Sequence, residues 1–247
     1  MAYLTIFHWG LMLSSTYTYG SKIDYFDDGS VIFSNTRQAP GTPLHRWQNL
    51  KVQPSDQFPL LERGHTYAFK MIAQIDPEDS VAVNIVFLDD NDHIIDQQLV
   101  QSLTGDFTML ETAKNYRIEL LNVNNEHLHF FALYLSEIDA MRSLEIEELL
   151  MGHFLHVHDY TKSIGREITV LRQHRPTEIL DLGEVSDQYF LRVPAMMLDD
   201  SKELHNLIAE AYKVLHLNNA DDLQWRAMSS ESEKAMDIFQ DFFRDGK

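Results

Sequence analysis

The chain has no cysteine, and that absence excludes disulfides, thiol nucleophiles and cysteine-ligated zinc at once. It fits a reducing compartment. Cations are scarce as well: 20 Lys and Arg stand against 38 Asp and Glu, for a formal net charge of −18. So acidic a surface repels phosphate backbones and anionic headgroups, which removes nucleic acid from the expected partners. The charge is no acidic tail, because residues 1–138 and 139–247 carry −9 each. No run reaches the roughly 20 apolar residues that a membrane-spanning helix needs. The apolar start, MAYLTIFHWG, has no Lys or Arg ahead of Lys22 and is interrupted by His8 and Gly10, so it does not read as a signal peptide. The expected location is the cytoplasm, with at most a peripheral attachment at the inner face of the membrane.

The common catalytic spacings are missing too. There is no Gly-x-x-x-x-Gly-Lys, Gly-x-Gly-x-x-Gly, Gly-x-Ser-x-Gly or His-Glu-x-x-His, which lowers an enzymatic reading. What the chain does have is core material: 44% of it is apolar, with 14 Phe and 10 Tyr, enough for a large domain or two modest ones.

Up to about residue 138 the pattern is strands and turns. In KIDYFDDGSVIFSN two alternating segments flank Asp27-Asp28-Gly29, where glycine supplies the positive φ of a tight hairpin. The segment VAVNIVFLDDNDHIIDQQLV repeats the plan around Asp89 to Asp92, and NYRIELLN and HLHFFALYL follow. Closely spaced turns without intervening helices favour antiparallel sheets packed face to face, a sandwich or jelly roll. Beyond Ser136, SEIDAMRSLEIEELLMGHF has a helical composition, whereas REITVLR, TEILDL and QYFLRV read as short strands. A helix is expected in DDSKELHNLIAEAYKVLHL, where Asp200 and Glu203 form a capping box and Leu204, Leu207, Ile208, Ala211, Tyr212 and Leu215 share a face. A last helix should start at Ser230 with Glu233 and turn Met236, Phe239, Phe242 and Phe243 inward. The fold class is therefore α+β: an all-β sandwich over 1–138, then a mixed α/β extension over 139–247 ending in helices.

Three groups of residues could carry chemistry. His153, His156 and His158 lie within six residues beside Asp159, but a strand aligns only His156 with His158 and a helix only His153 with His156. A metal site would need an irregular backbone or a ligand from elsewhere, so none is assigned, and the three histidines stand as the alternative. The acidic clusters at Asp24, Asp27, Asp28 and at Asp89 to Asp92 supply too few ligands for calcium and read as solvated turns. Tyr17, Tyr19 and the triple His45-Arg46-Trp47 have the chemistry of a carbohydrate platform, since aromatic faces stack on sugar rings and Arg forks hydrogen bonds. The competing reading makes Trp47 a core aromatic with Arg46 packed across it or paired with an acid.

Taken together, TYTYGSKIDYFDDGSVIFSN, PGTPLHRWQNL and FPLLERGHTYAFKM resemble the accessory secretory protein three family of the accessory Sec system of Gram-positive bacteria. The resemblance spans residues 9–138. It implies a jelly roll similar to carbohydrate-binding modules, with no catalytic activity and no cofactor. It also implies a cytoplasmic complex with the first and second accessory secretory proteins, which works with the accessory Sec motor and channel to export glycosylated serine-rich repeat adhesins. Under it, Tyr17, Tyr19, His45, Arg46 and Trp47 are candidates for carbohydrate or partner contact, with the triple either orienting the loop that shapes the binding face or belonging to that face. The alternative is a hydrolase, dependent on metal or acting on carbohydrate.

Overall fold

The period-two alternation of the first half becomes two stacked sheets. The computed structural model describes residues 2–10, 20–26, 29–35, 37–48, 58–149, 153–172, 177–193, 201–215 and 223–245. Contacts divide the chain into two compact units, residues 2–142 with 175–181 and residues 143–174 with 182–247.

In the first unit a seven-stranded sheet contains β1 (Ala2–Phe7), β2 (Lys22–Tyr25), β3 (Val31–Ser34), β5 (Thr66–Asp76), β8 (Thr104–Thr108), β10 (His127–Glu137) and β14 (Thr177–Leu182). The facing sheet runs β4 (Pro43–Gln48), β9 (Asn115–Asn122), β6 (Val81–Leu88), β7 (Ile94–Val100). Both expected hairpins form: β2 pairs β3 through a turn where Gly29 has φ 80°, and β6 pairs β7 through a turn where Asp92 has φ 62°. Strand β10 organises the larger sheet. One side of it pairs β5 along its length; the other pairs β3 at residues 127–130 and β1 at 133–135. Between the sheets lies one aromatic core that includes Phe7, Trp9, Phe33, Trp47, Phe107, Tyr116 and Phe130. Burial of this much apolar surface is the main force holding the sandwich.

One strand of this sheet comes from far along the chain. β14 pairs with β1, and there the His8 Nε2 lies 3.4 Å from Glu178 Oε2, both side chains buried. The first unit thus contains residues 175–181, a stretch that sequence alone groups with the second half.

The second unit is a five-stranded sheet in the order β11 (Leu144–Leu149), β12 (Phe154–Asp159), β15 (Val185–Val193), β13 (Ser163–Arg172), β16 (Leu223–Ala227). β13 runs parallel to both β15 and β16, while β12 is antiparallel to its neighbours. Helices α2 (Ser201–Leu215) and α3 (Ser230–Asp245) pack Leu204, Leu207, Ile208, Ala211, Ala235 and Phe239 against Phe154, Ile168, Val170, Leu191 and Val193. The expected faces of both helices are therefore the buried ones; Asp200 and the side chains of Leu215, Phe242 and Phe243 lie outside the described residues.

Two expectations need correction. The helix expected across SEIDAMRSLEIEELLMGHF is only α1 (Ile138–Ser143), after which the chain becomes β11. There Glu145 and Glu147 are exposed and alternate with half-buried Leu144 and Ile146, so pairing with β12 overrides helical composition. At the start of α3 the capping hydroxyl belongs to Ser229: its Oγ accepts the Ser232 amide at 3.1 Å, one residue earlier than expected.

Candidate functional site

Side chains alternate between faces along β4, and this separates the members of the His45-Arg46-Trp47 triple. His45 and Trp47 point into the sandwich, at 4% and 5% exposure. Trp9 stacks on His45 at 4.4 Å, and the Trp47 ring meets His45 edge-on at 4.6 Å. Trp47 Nε1 donates to the His8 carbonyl at 2.8 Å, so strand β4 of one sheet is tied to the end of β1 in the other. Burial drives the His45 pKa down from 6.5 to about 3, which keeps the ring neutral.

Arg46 points the other way and keeps 31% of its side chain exposed. Its Nε lies 2.9 Å from Glu119 Oε1, and Arg117 Nε donates to the same oxygen at 2.9 Å. Asn84 Nδ2 donates to Glu119 Oε2 at 3.0 Å. One buried carboxylate thus joins β4, β9 and β6 on the face opposite the core. The Arg46 contact is too bent to count as a hydrogen bond and is held by charge. Glu119→Ala would leave two arginines facing each other without their shared anion. We expect it to cost about 2 kcal/mol, less than for a fully buried pair because Arg46 reaches water, read as a lower urea midpoint.

The loop that enters β4 is clamped. Gly41 has φ 82°, a conformation that suits glycine, and its amide donates to the Asn122 carbonyl at 2.7 Å. Asn122 Nδ2 donates to the Gln38 carbonyl at 2.9 Å, its Oδ1 accepts the Asn125 amide at 2.7 Å, and Asn35 Oδ1 accepts the Gln38 amide at 2.8 Å. Pro43 opens β4 at its first position, where a missing amide costs the ladder least.

In the acidic turn the Asp89 carboxylate is taken up by local structure. Its Oδ1 accepts the amides of Asn91 and His93 at 2.8 and 2.9 Å, and these bonds, that from His93 foremost, hold the carboxyl below its ordinary range. Lys22 pairs with Asp24 at 2.6 Å; Asp27, Asp28, Tyr17 and Tyr19 lie outside the described residues.

In the second unit β12 puts His156 and His158 on one face, as strand periodicity requires. His153 is not with them. The third member comes from β15: Asp187 Oδ1 lies 3.1 Å from His156 Nε2 and 2.8 Å from His158 Nδ1, while Ser186 Oγ donates to Asp187 Oδ2 at 2.8 Å. Partial burial raises the Asp187 pKa, but the bonds from His158, Ser186 and His156 outweigh it and leave the carboxyl below its usual value.

Residues 16–137 match the accessory Sec secretory system family of accessory secretory protein three. The accessory Sec system protein of that family from Streptococcus gordonii is 30% identical over 127 residues, which cover 50% of this chain and 80% of the relative. The chain belongs to the accessory secretory protein three family. A chain in the crystal structure of accessory secretory proteins one, two and three from Streptococcus pneumoniae is 30% identical, with a TM-score of 0.50 over 53% of this chain and 94% of that one. A chain of the Glycosylation Associate Protein complex from Streptococcus agalactiae is similar in fold over 98% of this chain and 76% of its own, with a TM-score of 0.53 at 17% identity.

The family match takes in β2 through β10 and hence the triple, Glu119 and the asparagine clamp; His156, His158 and Asp187 fall beyond it. Sequence reasoning did not single out Glu119, Asn122 or Asn125. An acidic residue in the middle of NYRIELLN, at a position where a half-buried strand should carry a polar outward residue, looks unremarkable until its strand neighbours are known. The signal available was the pair of asparagines at Asn122 and Asn125, a residue type that binds backbone in turns.

Proposed function

We propose that this protein is a non-catalytic factor of the accessory Sec system. It joins the first and second accessory secretory proteins in the cytoplasm, and with the accessory motor it assists export of glycosylated serine-rich repeat adhesins. The single observation that carries this reading is family membership over the sandwich that houses the His45-Arg46-Trp47 triple. The solved assembly from Streptococcus pneumoniae, which contains proteins one, two and three together, supports the partners. No helix among the described residues is long and apolar enough to cross a membrane.

In this reading the burial of two members of the triple supports a bracing role. His45 and Trp47 brace the loop and strand from inside, and Arg46 alone offers solvent-facing surface, so the triple shapes a face more than it forms one. For docking, the edge strand β7 stands out. It is exposed along nearly all its length and carries Ile94, Ile95 and Leu99, the last at 55% exposure. An apolar edge of this kind suits strand addition or apolar contact by a partner protein. Glycan contact on the passenger is a weaker, secondary interaction in this reading, with Arg46, Tyr17 and Tyr19 as its candidates.

Co-expression with the first and second accessory secretory proteins should give a complex that survives gel filtration. Leu99→Glu together with Ile94→Glu should abolish it while leaving the thermal midpoint of the isolated chain within about 4 °C, since exposed substitutions cost little. Failure of the unaltered chain to co-elute with either sibling protein would remove the reading.

A further inference from the structure

The second unit has a group of side chains that the accessory secretory role does not use. We propose that His156, His158 and Asp187 form a binding site for a divalent transition metal, zinc being the expected ion, with a fourth position open to solvent. The donor set is two imidazoles and a carboxylate, which suits zinc and disfavours calcium and magnesium, whose sites are built from oxygen.

The geometry is close to what zinc asks for. All three donor atoms lie within 4.8 Å of one another. Metal–ligand bonds of about 2.0–2.1 Å in a tetrahedron put donor atoms about 3.4 Å apart. The two histidine-to-Asp187 separations, 3.1 and 2.8 Å, already sit near that edge length. Drawing the two ring nitrogens together closes the third edge, and the carboxylate moves outward by a few tenths of an ångström.

The supporting shell is also in place. Ser186 Oγ holds the outer oxygen of Asp187 at 2.8 Å, leaving Oδ1 aimed at the imidazoles. Tyr189 stacks on His156 at 4.5 Å and 10°, and Tyr160 meets His158 edge-on at 4.5 Å. Such contacts fix ring orientation before an ion arrives, which lowers the ordering cost of binding. Cross-strand register adds charge on the same face: Glu145 sits opposite His158 and Glu147 opposite His156, while Arg166 sits opposite Asp187. Three carboxylates against one guanidinium favour a cation. These strands belong to one sheet in one unit, so the site is complete within the chain.

Sequence spacing stops short of this site, because His153 cannot share a face with both other histidines. The structure replaces it with Asp187, contributed by a strand 29 residues further along the chain than His158. The inference is independent of the accessory Sec reading, and its test does not use the sibling proteins.

The test is titration of the untagged, chelator-stripped 247-residue chain with zinc by calorimetry, and with cobalt by visible absorption. One equivalent should bind, and cobalt should give the intense bands of a tetrahedral site. His156→Ala, His158→Ala and Asp187→Ala should each weaken binding by more than about 100-fold, and Ser186→Ala by about 10-fold, in line with loss of a ligand or of its orienting partner. His153→Ala should leave it unchanged. Circular dichroism checks that each variant folds. Should a variant fail to fold, protection of His156 and His158 by zinc against diethyl pyrocarbonate, read by peptide mass in the unaltered chain, gives the same answer. Absence of saturable binding, equal binding by the Asp187→Ala variant, or lack of protection overturns the proposal.

Discussion

Trp47→Ala should unfold most of the first unit at a denaturant concentration where the unaltered chain is intact. Removing a buried tryptophan from a packed core costs about 3–5 kcal/mol. Here the substitution also deletes the hydrogen bond from Nε1 to the His8 carbonyl, a further loss of about 1 kcal/mol. Domains of this kind are stable by only about 5–15 kcal/mol, so the urea midpoint should fall by about a quarter or more. Trp47→Phe, which keeps the aromatic contacts with Trp9 and Phe130 and loses the donor, should recover most of the difference. A soluble Trp47→Ala protein with an unchanged midpoint, and with glycan binding lost, would turn Trp47 into a platform residue and reverse its placement in the core.

The second large effect is a pH dependence centred on His45. In the unfolded chain this ring takes a proton below a pH of about 6.5, whereas in the folded chain burial holds its pKa at about 3. Between those values the unfolded state binds more protons. The stabilisation is therefore complete above pH 6.5 and is lost progressively as the pH falls towards 3, at about 1.4 kcal/mol per unit. At about pH 5 the loss is about 2 kcal/mol relative to neutrality. His45→Phe keeps the ring stacked beneath Trp9 and has no proton to take up. It also removes a buried Nδ1 that has no hydrogen-bond partner among the described residues, so it should be at least as stable near neutral pH. The difference in urea midpoint between the two proteins should grow on acidification, in favour of the variant. Parallel pH profiles would show that His45 is solvated or hydrogen-bonded in the folded state.

The sandwich was legible because its signals are local. The Asp-Gly turn before Ser30, the alternation in KIDY and VIFS and the apolar run of β6 each follow from a few neighbouring residues, and the two hairpins form where those residues place them. The amphipathic faces of α2 and α3 were legible for the same reason. What could not be read depends on partners distant in sequence. LEIEEL contains period-two alternation and helix-forming residues at once, and only pairing with β12 decides between them. The triple left two readings open because a tryptophan on a strand fits either face. Its burial is settled by Trp9 and His8, which lie 36 or more residues away, just past the end of a strand of the other sheet. The histidines show the limit most clearly: spacing correctly aligned His156 with His158, but no local rule points to Asp187.

The edge strand at Thr177–Leu182 completes a sheet whose other six members all lie before residue 138. As the chain leaves the ribosome, Ala2–Phe7 must wait with an unpaired border, and His8 without its carboxylate neighbour, until some forty further residues have emerged. A fragment cut after the last strand of the family match would carry that raw border permanently, and such borders are where chains stick to one another.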